Sequence, residues 1–274
     1  MGIALLNVAA LALQNITVTF AARSAGARAY TAVRDTTLVI GRGEFVSVVG
    51  PTGCGKSTLL NIAAGLLPPS AGRVRVFGSD LVGLNRQAGY LFQADALMPW
   101  LSALDNVAIG LIYRGMPKAE AHEKAQLWLG RVGLSGHGHR YPHQLSGGMK
   151  KRVALAQTLI MDPQMLLMDE PFSALDVQTR QLMENELLDL WSADRKSVVF
   201  ITHDLEEAIA LSDRVVVLAA GPGTRPIGEY TIDLPRPRDV AEIRLTPRFV
   251  ELHREIWARL RDEVMTGYVQ SRNV

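Results

Sequence analysis

The stretch GPTGCGKST, Gly50 to Thr58, constrains the fold of this 274-residue chain more than any other feature. It fits the pattern G-x-x-x-x-G-K-[ST], whose glycines let successive backbone N–H groups form an anion-binding concavity. The apolar run FVSVV before it predicts a buried strand. STLLNIAAGLL, Ser57 to Leu67, predicts a helix that ends before Pro68. This order of strand, loop and helix is the context that a nucleoside triphosphate site requires.

Residue types within the loop predict separate roles. Lys56 offers a point charge to the β- and γ-phosphates, and the Ser57 hydroxyl is suited to ligate Mg²⁺. Cys54 is the only cysteine, so no intrachain disulfide can form, and we expect the loop amides and Lys56 to lower its pKa and make it reactive. The predicted phosphate-binding set is Gly50, Pro51, Thr52, Gly53, Cys54, Gly55, Lys56, Ser57 and Thr58.

Charge composition argues against a nucleic-acid partner. The chain has 29 basic and 27 acidic residues, a formal net charge of +2. This near-balance gives no argument for binding to the phosphate backbone of a nucleic acid. The low aromatic content of 6% also disfavours platforms on which bases stack. We therefore predict that the chain binds no nucleic acid.

Hydrophobic periodicity predicts an α/β fold in three parts. Three strands, Asn15–Phe20, Thr36–Ile40 and Arg73–Gly78, indicate an N-terminal antiparallel β subdomain. Helical patterns dominate residues 96–160, which we interpret as an inserted helical subdomain.

After the insert, strands and helices alternate, which predicts a parallel sheet. Gln164–Glu170 reads as a buried strand, and Val177–Trp191 as an amphipathic helix. The tail, residues 221–274, is Pro-rich and then helical from about Phe249 to Val264. We predict one domain over residues 1–274.

Polar residues at strand ends supply the rest of the predicted chemistry. Asp169 and Glu170 follow the apolar run MLLM: the aspartate can hold Mg²⁺, and the glutamate can accept a proton from attacking water. His203 follows the strand SVVFI and can hydrogen-bond a γ-phosphate and the catalytic carboxylate. Gln93, after GYLF, can touch Mg²⁺ and the water. The predicted catalytic residues are thus Glu170, His203 and Gln93, and the predicted metal ligands are Ser57, Gln93 and Asp169.

A second glycine-rich string, LSGGM at Leu145 to Met149, has no phosphate-binding chemistry of its own. It opens a predicted helix, Gly147 to Ile160. A loop of this kind makes little sense within one chain, so we predict that it completes the nucleotide site of another subunit.

In order along the chain, these motifs resemble those of the nucleotide-binding subunit of an ATP-binding cassette (ABC) transporter. The matching elements are GPTGCGKST, Gln93, LSGGM, MLLMDE, SALD at Ser173 to Asp176, and THD at Thr202 to Asp204. The resemblance implies a P-loop NTPase fold, ATP and Mg²⁺ as cofactors, and a head-to-tail homodimer. Each ATP would lie between one P-loop and the partner's Ser146, Gly147 and Gly148, with Asp176 at the interface.

A finer resemblance points to the importer branch for nitrate, sulfonate, taurine and pyrimidines. It rests on FQADALMPWLSALDNVAIGL, PHQLSGGMKKRVALAQTL, DEPFSALDVQTR and PGTRPIGEYTIDLPRPRD. It implies a membrane permease, indirectly an extracytoplasmic solute-binding protein, and a place at the cytoplasmic face of the inner membrane. The family usually shows ARAL where this chain has AQTL, at Ala156 to Leu159. The aromatic residue that stacks on adenine in this family would be Phe20, with Tyr30 as the alternative.

Other functions remain open from the sequence. A DNA-repair ATPase would separate the two glycine-rich strings with a long coiled coil, and a translation ATPase usually carries two cassettes. A P-loop kinase would not need LSGGM. A purely regulatory binding module is disfavoured because Glu170 and His203 are both present.

The segment Ala94 to Leu101 follows Gln93 and is apolar, although it reads as a loop. An apolar loop implies contact with a partner or with the core. Two hypotheses follow for Trp100: it contacts the permease, or it packs between the helical insert and the core.

Overall fold

Two β-sheets and an inserted group of helices make up the computed structural model, which describes residues 9–21, 29–94 and 96–272. The first sheet is antiparallel, in the order β2-β1-β4-β5. Its strands are β1 (Leu11–Phe20), β2 (Tyr30–Ile40), β4 (Ala71–Val76) and β5 (Ser79–Asp80). The predicted antiparallel subdomain is therefore present. Residues 22–28, between β1 and β2, lie outside the described residues.

The second sheet holds the centre of the fold. Its order is β10-β9-β3-β8-β7-β6, and all neighbours are parallel except β10, which runs antiparallel to β9. The strands are β3 (Phe45–Val49), β6 (Ala88–Leu91), β7 (Met165–Asp169), β8 (Ser197–Ile201), β9 (Arg214–Leu218) and β10 (Pro226–Thr231). Every residue of β3 is buried, as the continuous apolar run predicts.

Eight α-helices occur within the described residues. They are α1 (Lys56–Ala63), α2 (Ala103–Tyr113), α3 (Lys118–Arg131), α4 (Gly147–Leu159), α5 (Val177–Ala193), α6 (Leu205–Leu211), α7 (Val240–Ile243) and α8 (Pro247–Arg272). None of them is long and apolar enough to cross a bilayer.

The inserted helices α2, α3 and α4 build a small core of their own. Val107, Ala121, Leu129 and Val153 are fully buried within it. Side-chain caps fix two of the helix starts: the Ser102 hydroxyl accepts from Asp105 N at 3.1 Å, and that of Ser146 from Met149 N at 3.3 Å. The loop that carries Ser146 is therefore positioned by the insert, apart from the main sheet.

Two predicted elements differ from those observed. Helix α1 ends at Ala63 and does not reach Leu67, because Gly65 has φ +70° and lies so close to the Gly83 carbonyl that a Cβ would be 1.9 Å from its oxygen. The tail is not simply Pro-rich and helical: β10 extends the main sheet, with Tyr230 paired to Val215. Helix α8 is also longer than predicted and buries Phe249 and Ile256 in the main core.

Candidate nucleotide site

A pocket of about 480 Å³ lies at the carboxyl edge of the parallel sheet. Strands β3, β6, β7 and β8 all end near it, and their following residues converge there because parallel strands share one carboxyl edge. Its lining residues are Thr52, Gly53, Gly55, Lys56, Ser57, Thr58, Gln93, Glu170 and His203. Six sequence motifs were predicted to carry chemistry, and residues from four of them line this pocket: the glycine-rich loop, Gln93, Glu170 and His203.

Cavity size alone does not locate this chemistry. A larger cavity of about 720 Å³ lies where α3, α4 and α5 meet, lined by Trp128, Leu159 and Leu187. Its lining is mainly apolar, and it contains none of the residues of the predicted site. The smaller pocket is the functional candidate because it combines a glycine-rich loop, a lysine, a carboxylate and an imidazole.

The glycine-rich loop connects β3 to α1 and holds its own lysine. Lys56 is buried, and its Nζ donates to the carbonyl oxygens of Gly50 at 2.8 Å and Pro51 at 3.0 Å. Gly55 immediately precedes α1 with φ 107°, so the loop turns sharply into the helix. The amino end of α1 and the ammonium group thus face the same pocket.

Asp169 and Ser57 are brought together by the sheet. Asp169 ends β7, and the Ser57 hydroxyl donates to its Oδ1 at 3.1 Å. Burial raises the pKa of the Asp169 carboxyl, and the neighbouring Glu170 also raises it, while the Ser57 hydrogen bond and the Lys56 charge lower it. A carboxylate that is costly to desolvate and sits beside a hydroxyl is a suitable position for a divalent cation.

Strand register places Glu170 beside His203. Asp169 pairs with Ile201 across β7 and β8, and Glu170 N donates to the Ile201 carbonyl at 2.9 Å. Glu170 then takes the left-handed conformation, φ 43°, and its Oε2 lies 2.9 Å from Nδ1 of His203. A left-handed non-glycine residue at a strand end is costly, and such strain is concentrated at functional sites.

Gln93 lines the pocket two residues after β6 and is connected to α4. Its backbone carbonyl accepts from the Nζ of buried Lys151 at 2.6 Å. Lys151 lies in the helix that begins after Ser146. No sequence pattern singles out Lys151, because a lysine in an amphipathic helix is usually solvated.

Some predicted site residues do not line the pocket. Ser146, Gly147 and Gly148 form the start of α4, and Asp176 caps α5 by accepting from Thr179 N at 3.0 Å. Phe20 and Tyr30 face each other across β1 and β2, and they are 42% and 46% exposed. Neither aromatic side chain lines the pocket, so the geometry does not separate the two candidates.

The prediction for the Cys54 thiol is wrong. Cys54 is 1% exposed, and its Sγ lies 3.0 Å from the point where a Cβ on Gly50 would stand. Burial raises the pKa of this thiol, and the smaller effect of the Lys56 charge does not reverse the shift. The sequence predicts that Cys54 lies in the loop, but it does not predict the direction of the Cys54 side chain.

The packing hypothesis for Trp100 is also wrong, because Trp100 is 71% exposed. Its segment is nevertheless held in place. Fully buried Asn106 accepts from Met98 N at 2.7 Å and donates to the carbonyls of Met98 and Leu101 at 3.1 and 3.0 Å. The tryptophan therefore projects from a loop that the helical insert fixes.

Comparisons with known proteins agree with this geometry. The family model described as "ABC transporter" matches residues 33–173. An uncharacterized ABC transporter ATP-binding protein of Methanocaldococcus jannaschii is 50% identical over 223 residues, 81% of this chain and 81% of that protein. A taurine import ATP-binding protein of Pseudomonas aeruginosa is 44% identical over 228 residues, 82% of this chain and 86% of that protein. A solved dimeric ATP-binding cassette with bound ADP and Pi has a TM-score of 0.72 at 33% identity and covers 82% of this chain and 100% of its own.

Proposed function

This chain belongs to the ABC transporter family, and we propose that it is the ATP-hydrolysing subunit of an importer that moves a small solute through a separate permease. The predicted family and fold class are confirmed, and relatives named as import proteins leave no support for a role in DNA repair or translation. One observation carries the proposal. A glycine-rich loop, Gln93, Glu170 and His203 surround one pocket, with Glu170 hydrogen-bonded to His203.

ATP binds with its phosphates on the loop between β3 and α1. The backbone N–H groups and the amino end of α1 stabilise the negative charge. Lys56 exchanges its two carbonyl acceptors for phosphate oxygens, a change that keeps the buried ammonium hydrogen-bonded throughout. Adenine stacks on Phe20, with Tyr30 as the alternative, since both rings are about half exposed.

Ser57, Asp169 and Gln93 would hold Mg²⁺. Their hydroxyl, carboxylate and amide oxygens are the ligands that this ion prefers, and the raised pKa of Asp169 marks a carboxylate for which a cation would offset the cost of burial. When bound, the ion would neutralise charge on the transferred phosphoryl group.

Hydrolysis requires a base and a group that orients it. Glu170 accepts a proton from the attacking water through one carboxylate oxygen, while the other is held by His203 Nδ1. With Nδ1 engaged, the Nε2 of the imidazole is the nitrogen available to the γ-phosphate. The left-handed backbone at Glu170 fixes this arrangement from the strand side.

A second copy of the chain completes each site. Ser146 and Gly147 are exposed at the start of α4 and do not line the pocket of their own chain. In a head-to-tail homodimer they would approach the γ-phosphate bound by the partner, with Gly148 behind them and Asp176 at the interface. The solved cassette with ADP and Pi is described as dimeric, which supports this arrangement.

The permease contact is the segment Ala94–Leu101, at the cytoplasmic face of the membrane. Trp100 is exposed on a loop fixed by Asn106 and joined to Gln93, so the loop can report the state of the γ-phosphate. Solute specificity resides in the permease and an extracytoplasmic solute-binding protein. The taurine import relatives favour taurine or another sulfonate over nitrate or a pyrimidine.

Reconstitution tests the whole proposal. The chain, its permease and the solute-binding protein are placed in lipid vesicles with ATP and labelled taurine. We expect uptake that needs ATP and magnesium, and loss of uptake with Trp100→Ala but not with Trp257→Ala, an exposed tryptophan on α8. ATP hydrolysis by the isolated Trp100→Ala chain should stay near wild type. Equal uptake by the two variants would refute the permease contact, and absence of ATP hydrolysis by the wild-type chain would refute the function.

A further inference from the structure

Arg180 joins two loops that flank the proposed catalytic centre. It lies in the first turn of α5, and its guanidinium makes two directed contacts. Nη2 donates to the backbone carbonyl of Leu175 at 3.2 Å, and Nη1 donates to Oδ2 of Asp204 at 3.2 Å. Leu175 precedes Asp176 of the proposed dimer interface, and Asp204 follows His203.

The turn that carries His203 is fixed from both sides. Asp204 Oδ1 accepts from the N–H groups of Glu206 and Glu207 at 2.9 and 3.2 Å, which caps α6 and leaves Oδ2 for Arg180. Asp204 N donates to the Thr202 hydroxyl at 3.0 Å, and that hydroxyl donates to Glu207. The backbone position of His203 therefore depends on this cap and on the contact between Asp204 and Arg180.

The guanidinium has little freedom to adapt. The Arg180 side chain is 25% exposed, and its Nε is buried without a hydrogen-bond partner. A planar fork bound to two acceptors on different segments fixes their separation, and each bond to a charged group is stronger than a neutral one. A displacement of the Leu175 carbonyl is thus passed to Asp204.

From this geometry we infer that Arg180 is a positioning residue that links the segment Ser173–Asp176 to the His203–Glu170 pair. The inference rests on the proposed function, in which a second copy presses on Asp176 when two ATP molecules are bound. The Leu175 carbonyl then shifts Arg180, Arg180 holds Asp204, and His203 holds the Glu170 carboxylate in its productive position. Hydrolysis in one site thereby depends on closure of the dimer.

Steady-state ATP hydrolysis by the purified chain tests this link. We expect Arg180→Gln to lower kcat by roughly tenfold to a hundredfold, since a misplacement of about 1 Å can cost that much. KM for ATP should change by less than about twofold, because Arg180 does not line the nucleotide pocket. The Hill coefficient for ATP should fall toward one.

Asp204→Asn provides the matched variant at the other end of the contact. Asparagine caps a helix as well as aspartate, so α6 is preserved, while the amide that replaces Oδ2 no longer pairs with Arg180. Each single variant should show the same kcat defect, and the double variant Arg180→Gln/Asp204→Asn should be no worse than either. Arg180→Lys keeps one contact at a time and should recover only part of kcat.

Arg248→Gln is the control, because Arg248 forms an exposed ion pair with Asp233 far along the chain in α8. It should leave kcat, KM and the Hill coefficient unchanged. The inference is overturned if the wild type hydrolyses ATP cooperatively and Arg180→Gln keeps both kcat and cooperativity. It is also overturned if the kcat defects of Arg180→Gln and Asp204→Asn add, or follow a loss of melting temperature. A wild type without ATP hydrolysis would refute the proposed function, and the link with it.

Discussion

Two helix starts in this molecule look alike in sequence and differ in what surrounds them. Helix α1 follows the loop Gly50–Gly55, and α4 follows Leu145 and Ser146. The start of α1 shares one pocket with Lys56, Gln93, Glu170 and His203, whereas the start of α4 is exposed and does not line that pocket. The first therefore carries the proposed chemistry, whereas the role proposed for the second requires a nucleotide held by another copy.

The difference has a physical origin in how each loop is supported. The α1 loop leaves a fully buried central strand, so its atoms are fixed relative to the ends of β7 and β8. The α4 loop belongs to the helical insert, which has a separate small core and touches the nucleotide pocket through the Lys151–Gln93 contact. One half of the proposed site is held by the buried central strand, and the other lies at the start of a helix of the insert.

Glu170→Gln should give the largest effect on ATP hydrolysis, and it tests the half of the proposed site that lies around the start of α1. Glutamine keeps the shape and the contact with His203 but cannot accept the proton from water. We expect hydrolysis to fall by about a hundredfold or more, while ATP still binds and a dimer accumulates on gel filtration. Glu255→Gln, at an exposed position of α8, serves as the control for removal of a charge. Near-normal turnover by Glu170→Gln would place the base elsewhere.

Gly147 and Gly148, the adjacent glycines at the start of α4, should respond differently to substitution by alanine. A Cβ on Gly147 would stand 3.8 Å from Leu175, an ordinary contact, whereas one on Gly148 would stand 2.6 Å from Thr179 Cγ2. Gly147→Ala should leave the melting temperature unchanged and lower hydrolysis roughly tenfold to a hundredfold, the effect of about 1–3 kcal/mol of crowding at the dimer site. Gly148→Ala should destabilise the free chain by about 1–3 kcal/mol.

Gly130→Ala, in the last turns of α3, is the control for added methyl groups, because only Ser135 lies within reach of its Cβ. It should be harmless or slightly stabilising. Full activity of Gly147→Ala would contradict the proposal that Gly147 approaches the γ-phosphate bound by the partner.

The contribution to stability should change with pH in opposite directions for Glu207, near His203, and for Asp105, in the helical insert. Burial raises the pKa of Glu207, below His203, to about 8, so the folded state holds a proton that the unfolded chain releases above its ordinary value of 4.5. Stability from this group is therefore lost as pH rises from about 4.5 to 8, by up to about 1.4 kcal/mol per pH unit. In the insert, a hydrogen bond from Ser102 lowers the pKa of Asp105, so its contribution is present at neutral pH and lost in acid.

Melting curves of Glu207→Gln check this sign. The variant should melt above the wild type at pH 8.5, by about 2–4 °C for each kcal/mol gained, and close to it at pH 5. Glu206→Gln, an exposed neighbour, should follow the wild type at both pH values. A Glu207→Gln advantage that is equal at pH 5 and pH 8.5 would contradict a buried, protonated Glu207.

Alkylation of Cys54 should give the smallest effect on function. Because the thiol is buried and its pKa is raised, we expect the folded chain to react at least about tenfold more slowly than the unfolded chain, with mass spectrometry as the measurement. Cys54→Ala should retain hydrolysis. Fast labelling that Mg-ATP slows would show that the thiol faces the phosphates, contrary to the structure.

Sequence patterns predicted the parts of this fold that depend on local rules. FVSVV was predictable as a buried strand because every position is apolar or small. Asp169 and Glu170 were predictable as site residues because they stand at the end of another apolar strand. Long-range contacts were not predictable. Nothing near Asn106, Lys151 or Arg180 in the sequence indicates that their partners lie at Met98, Gln93 and Asp204. Strand β10 was not predicted, because Gly228 and the flanking prolines obscure the alternation of apolar and polar residues. Its hydrogen bonds to β9, a contact between distant parts of the sequence, define it as a strand.

The position of β3 in the sheet has a consequence for the time at which the nucleotide site comes into existence during synthesis. Its two neighbours are β8 and β9, so Phe45 pairs with Val198, and Val49 with Val217. A nascent chain that has left the ribosome only through the helical insert has its glycine-rich loop but lacks both strands that hold the loop's base. The insert can fold early on its local contacts, while the ATP site must wait until β9 has emerged. A growing chain is thus unable to hold nucleotide until most of its length has been made.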